Sequence, residues 1–265
     1  GWVRQVTPTY LNPYNFGALG DGTQNDYDNI AFDAISQYVK NSQLKGFFVH
    51  IPHGYYCVIS QKFVAGQGYI TTSALNFTFN VMTDKSIIVQ SDNAVLKVRD
   101  GLKYGVYNRN TGEKDTFANA QGDRRWYANV GYILNFERVK TVVVRGHIEL
   151  DGNAPKQILG GLLDNGGFDL PSYGLRTAFV ERQYIENVIT HDHLTDGIYI
   201  AGTNYDYAAQ YVSYDPKADI INPELNGEIR NVTSYRNGRQ CLTIAGGRNL
   251  SFYNLNLYDG GTDNL

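Results

Sequence analysis

The 265-residue chain is poor in several things at once. It has two cysteines, Cys57 and Cys241, standing 184 positions apart with no metal-type spacing, so two buried thiols are expected. Lys and Arg are dispersed and nearly balanced by acids, giving a net charge of −3, so there is no basic stripe for nucleic acid or a polyanionic membrane. No apolar run approaches the ~18 residues of a membrane span, and no secretory leader is recognisable. Neither partner is expected. Charged residues reach only 18% against 42% hydrophobic, the balance of a folded globular chain and not of a disordered one. Proline is scarce at 7, and the single methionine is Met82, so the chain opens at Gly1 without an initiator and is expected to be an excised piece of a longer protein.

What is abundant is glycine, at 28, and tyrosine, at 21 against 12 Phe and 2 Trp. Tyrosine has an apolar face and a polar handle, which suits a wet, sugar-facing surface better than a dry core. One helix is legible: Tyr27, Ile30, Ala31, Ala34, Ile35, Tyr38 and Val39 form one apolar stripe at the helical period, and Thr23 with Asp26 makes a variant capping box before it. Nearly everything after it reads as short strands between Gly, Asn and Asp, such as Ser-Ile-Ile-Val-Gln at 86–90 and Thr-Val-Val-Val-Arg at 141–145.

Repetition selects among the all-β architectures. Asn187-Val188 leads to Gly197-Ile198-Tyr199-Ile200-Ala201-Gly202, Asn231-Val232 leads to Cys241-Leu242-Thr243-Ile244-Ala245-Gly246, and Asn254-Leu255 leads to Asn264-Leu265, at offsets of 44 and 23. A period near 22 residues is one turn of a right-handed parallel β-helix, three strands and three turns per coil. The 44 is then one coil carrying an inserted loop at about 203–226, containing Tyr205, Tyr207, Tyr211 and Tyr214, and further loops are expected at about 104–128 and 153–172. The expectation is a single all-β solenoid domain over 1–265 with an N-terminal cap at about 12–45, a capping helix at about 26–40, and a repeat that stops in mid-coil, so that the natural protein continues past Leu265.

The segment Tyr14-Asn15-Phe16-Gly17-Ala18-Leu19-Gly20-Asp21-Gly22-Thr23, followed by Asn25, Asp26 and the helix, resembles the entry motif of the pectate-lyase-like parallel β-helix superfamily, with Asn15 where that motif has Asp. Gly238 to Leu250 is similar to a coil common in the same superfamily. The resemblance implies the fold, and among members with such a Tyr-rich, irregular middle it is closest to phage tailspikes that break down bacterial surface polysaccharides. It implies a homotrimer on a virion tail, or alternatively a secreted bacterial enzyme.

The densest chemistry is His191-Asp192-His193-Leu194-Thr195-Asp196-Gly197, two imidazoles and two carboxylates in a turn before a strand. Such groups protonate a glycosidic oxygen and activate water, or else simply cap turn amides. Leu194 to Ile198 resembles the Asn-Thr-Asp-Gly motif of polygalacturonases, which implies a catalytic carboxylate at Asp196. The next coil has Arg239-Gln240-Cys241 where those enzymes have Asp-Asp-Cys, and their Gly-His-Gly and Arg-Ile-Lys motifs are absent, which argues against galacturonan hydrolysis by that mechanism.

Adding 44 and 23 to Asp196 gives Gln240 and Asp263, two coils apart from end to end, roughly 10 Å and near the ~6.5–9.5 Å separation of inverting glycosidases. The candidate catalytic set is Asp196, Asp192, Arg239, Asp263 and His193. Arg239 would bind an anionic sugar group. Tyr199, Trp126, Tyr127, Tyr205 and His191 are the candidate substrate contacts, and Glu149 and Asp151 are assigned to a structural turn. His191 and His193 could share a strand face, but no third ligand has a recognisable spacing, so neither metal nor cofactor is expected. The expected function is endo-acting hydrolysis of a bacterial capsular or surface polysaccharide. The alternatives are a lyase on an acidic polysaccharide, using Arg239 and a histidine base, and a binding spike without catalysis.

Overall fold

A computed structural model describes residues 9–115, 117–118, 127–163, 170–201, 226–247 and 249–261. Successive coils pair strand on strand, always parallel, in three columns. The first sheet stacks 46–51, 86–91, 141–146, 182–186, 226–230 and 250–253; the second stacks 54–58, 94–98, 148–151, 188–191, 232–235 and 255–258. The third stacks 75–78, 134–137, 175–178, 198–201 and 242–244. Val188 faces Val232 and Ile198 faces Leu242, so the offset of 44 is one coil; Val232 faces Leu255, so 23 is the next.

Alternation along each strand sends Val49, Val89, Val144, Ile185 and Ile229 inward in one file and Leu96 and Leu150 in another, all essentially inaccessible. Phe77 and Phe136 stack inside at 5.5 Å between ring centroids. The corner between the first and second sheets is made by Asn187, Asn231 and Asn254, with φ of 57°, 52° and 51°. Asparagine tolerates this left-handed backbone better than other side chains with a Cβ. Each amide also donates to the one before it, Asn231 Nδ2 to Asn187 Oδ1 at 3.1 Å and Asn254 Nδ2 to Asn231 Oδ1 at 2.8 Å.

The helix Tyr27–Asn41 closes the first coil, as expected, but through a different face. Tyr27 and Ile30 are exposed, while Asp28, Asn29 and Ser36 are buried beside Ala31, Phe32, Ile35 and Val39. The reason is that the end of a solenoid presents unpaired backbone amides. Asp28 accepts from the N–H groups of Leu19, Gly20 and Cys57, Asn29 Oδ1 from that of Ile59, and Ser36 Oγ from that of Asn76. Asp26 makes no side-chain cap; Asn25 Oδ1 takes the Tyr27 N–H instead.

An antiparallel hairpin, Ser60–Val64 with Gly68–Thr72, was not legible in the sequence. Parts of the expected loops at 104–128 and 153–172 pair with each other: Lys103–Val106 with Ile158–Leu159, and Phe117–Ala118 with Leu162–Leu163. The expected loop at 203–226 lies outside the described residues apart from its last residue, Asn226, which begins the strand Asn226–Asn237. Both cysteines are buried and unbridged, and among the described residues no helix is long and apolar enough to cross a membrane.

Candidate functional site

Residues 192–197 form the short turn from the second sheet to the third, and its two carboxylates are each clamped by an arginine of the following coil. Arg236 donates to Asp192 through Nε (2.8 Å to Oδ1) and Nη2 (2.5 Å to Oδ2). Arg239 does the same to Asp196 at 2.8 and 2.6 Å, and Thr243 Oγ1 adds a third bond at 2.9 Å. These are forked, charge-assisted pairs, the strong kind. Burial pushes the Asp192 carboxyl up, but the bonds from Arg236 and His191 outweigh it and leave the group below the ordinary 3.8. Asp196 is 0% exposed. A side chain that accepts three hydrogen bonds and has no exposed surface is placed to hold Arg239, not to hand a proton to a sugar.

His193, expected as a base, points into the coil. Its Nε2 is 3.2 Å from the Leu150 carbonyl and 2.9 Å from Thr190 Oγ1. A carbonyl can only accept, so Nε2 carries a proton. Burial is the main reason its pKa falls from 6.5 to about 3, with the nearby His191 adding to it. Gly174 is what makes room: a Cβ there would stand 2.7 Å from His193 Nε2. The three substituents of this turn therefore part company. His193 goes inside, Asp196 with Arg239 faces the third sheet, and His191 with Asp192 faces the second.

On the third sheet Tyr199 stacks on Tyr173 at 5.1 Å, and Tyr132 lies 5.6 Å beyond. Arg176 lies 5.3 Å over Tyr132 and is bonded to Asn135 and Glu137. Tyr127 is half-buried in a two-strand contact with Lys103–Val106. Trp126, Tyr205 and Asp263 lie outside the described residues, so the Asp196–Asp263 pair has no measured separation.

The second sheet holds the larger cluster. His191 Nδ1 is 2.7 Å from Asp192 Oδ2, and its Nε2 is 3.2 Å from Glu149 Oε1. Asp151 is two residues from Glu149 on the same strand face, 4.0 Å from His191 Nδ1 and 3.4 Å from Lys97 Nζ. The His191 ring stacks on Tyr235 at 4.8 Å, and Tyr235 on Tyr258 at 5.0 Å. With Asp192 ionised, Nδ1 donates to it, and Nε2 is the ring atom turned to Glu149. His191 thus bridges the Asp192 and Glu149 carboxyl groups. Beside them runs a shallow groove of about 250 Å³ lined by His147, Asn187, Ile189, Asn231, Thr233, Asn254 and Asn256.

Asp151, His191 and Asp192 offer oxygen and nitrogen atoms within 4.8 Å of one another, a geometry a metal ion can use. The Arg236 fork already supplies the positive charge at Asp192, so the donor set is a poor fit for a cation. Glu149 and Arg236 were missed as site residues in sequence. The signal existed for Arg236, since adding 44 to Asp192 reaches it; nothing in the spacing joins Glu149 to His191, which meet only because their strands pair.

No protein-family model and no curated protein matches the chain. Among solved structures it is similar to two Azotobacter vinelandii mannuronan C-5 epimerase A-modules. For AlgE6 the identity is 16% over 92% of this chain and 55% of that one, with TM-score 0.41; for AlgE4 it is 14% over 95% and 58%, with TM-score 0.39. The chain spans just over half the length of these modules.

Proposed function

We propose that this protein is a polysaccharide depolymerase, an endo-acting glycoside hydrolase on a bacterial capsular or surface polysaccharide, working from the groove edge of the second sheet of a right-handed coil. The observation that carries this is the 3.2 Å contact between Glu149 and His191 with a second carboxylate, Asp151, alongside. Residues two apart on a strand have α-carbons about 6.6 Å apart and side chains on one face, a spacing from which two carboxyl groups can reach the ~6.5–9.5 Å separation of inverting enzymes. In this scheme Glu149 gives its proton to the glycosidic oxygen as the C–O bond breaks. Asp151, beside the Lys97 ammonium, takes a proton from the water whose oxygen bonds to the anomeric carbon. Asp192 orients His191, and Asp196 positions Arg239 at the next face. Action at a host cell surface as part of a homotrimeric virion tail, or as a secreted enzyme, belongs to the same proposal.

A lyase reading draws on one observation: the Arg236 side chain, 48% exposed, lies over the Tyr235 ring at 4.8 Å and clamps the Asp192 that holds His191, a cation one carboxylate away from a base. Digestion of a panel of purified capsules separates these. A hydrolase releases new reducing ends alone, a lyase adds ultraviolet-absorbing unsaturated sugars, and polymer bound but unshortened would sink both in favour of a binding spike. Glu149→Gln, correctly folded, should lower turnover ~100-fold or more.

A further inference from the structure

We infer that the groove on the second sheet takes an uncharged stretch of sugar chain, and that bond cleavage beside it is therefore hydrolytic. This rests on the depolymerase reading for the cleavage step and on the groove alone for the binding step. The lining contains four carboxamides, one hydroxyl and one aliphatic side chain, with His147 as its single titratable group. Carboxamides offer donors and acceptors together, matching sugar hydroxyls in the way a carboxylate or ammonium alone does not. Ile189, in the floor, gives the apolar C–H face of a pyranose something to rest on.

The surroundings argue against an anionic chain. Glu149 pairs in register with Ile189 and so stands at the end of the groove, and Asp92 pairs with His147. Asp151 and Asp192 lie just beyond, around His191. Among the described residues, Lys97 is paired with Asp151, Arg236 with Asp192, and Arg230 with Glu186 and Glu228, while Arg145 donates to Gln90. The groove lining holds no guanidinium or ammonium to receive a uronate or sulfate. An eliminative step needs a carboxylate next to the carbon that loses its proton, with a cation to hold it, so an uncharged occupant leaves hydrolysis. At about 250 Å³ the space is slightly below the ~300 Å³ at which pockets enclosing whole drug-sized ligands begin, which suits a segment of a longer chain lying along the axis. The Asn187, Asn231 and Asn254 amides, one per coil, repeat at the ~4.8 Å strand spacing, a pitch close to one extended sugar residue.

The test uses the full chain carrying Glu149→Gln, so that substrate persists, on an array of neutral and acidic bacterial oligosaccharides. Neutral glycans should bind, with affinity changing less than about twofold between low and high salt. Thr233→Trp, which fills the groove, should weaken binding at least tenfold, and Thr233→Val, which keeps the volume and loses only the hydroxyl, by severalfold. Binding of acidic glycans alone, a steep salt dependence, indifference to both Thr233 variants, or no glycan bound at all would overturn the inference. Neutral glycans bound at Thr233 but never shortened by the unmodified chain would leave the groove standing and remove the depolymerase reading. Shortening that persists in both Thr233 variants would do the reverse.

Discussion

A buried neutral histidine makes a fold acid-labile in a calculable way. His193 has a pKa of about 3 in the folded chain against 6.5 for the free side chain, mainly because burial penalises its charged form. Between those two values the unfolded chain binds a proton that the folded chain refuses, so protons favour unfolding. Stability is full above pH 6.5, falls as the pH drops through the window, and levels off only below pH 3. The slope approaches ~1.4 kcal/mol per pH unit, which gives ~2 kcal/mol at pH 5 and ~3 kcal/mol at pH 4. A typical domain has only about 5–15 kcal/mol in total, so the loss is readily measured.

The comparison is with His193→Gln, which keeps an amide donor for the Leu150 carbonyl and cannot titrate. Urea unfolding of both proteins at pH 7.5, 6, 5 and 4, with equal m-values, isolates the histidine because every other group is common to the two. The variant should start less stable and gain on the parent as the pH falls. Parallel stability curves from pH 7.5 to 4 would refute the reasoning and place His193 in contact with water. Asp192 acts in a separate window: its lowered pKa contributes stability that is present above about pH 3.8 and lost as the pH falls through its lower folded value.

Asp28→Ala should cost ~2–5 kcal/mol by leaving the amides of Leu19, Gly20 and Cys57 without an acceptor, read as a shift in urea midpoint. Asp196→Asn should loosen the Arg239 clamp by ~1–3 kcal/mol yet reduce polysaccharide cleavage far less than Glu149→Gln does, which parallel rate assays of the two variants decide. Asp192→Asn should slow cleavage and also shift its pH profile, since it orients the His191 ring that faces Glu149; an unchanged profile would count against that role. Light scattering of the intact protein should give three times the chain mass, and a stable monomer would remove the trimer.

The coil register was legible because it is written in side chains that must recur. Asn187, Asn231 and Asn254 occupy the same left-handed corner, and the inward Val and Ile files follow from alternation. The helix was legible by period but its inner face was not, because Asp28, Asn29 and Ser36 are buried for their acceptors, which a hydrophobic stripe ignores. The fate of the 191–197 turn was hidden for a related reason. Three neighbouring polar residues diverge inside, to one face and to the other, and which goes where depends on cavities opened by Gly174 and on arginines one coil away. Glu149 looked structural because its partner is 42 residues distant in the chain.

The asparagine corner has a consequence for how the chain finds its register. Parallel coils of similar strands are prone to slip, since a one-residue shift still pairs backbone with backbone. Here such a slip would carry a valine, leucine or other ill-suited neighbour into the left-handed corner and would break the amide chain from Asn254 through Asn231 to Asn187. The corner therefore works as an alignment pin. Each newly folded coil is checked against the last at one fixed point, while its other corners are left open to insertions of almost any length.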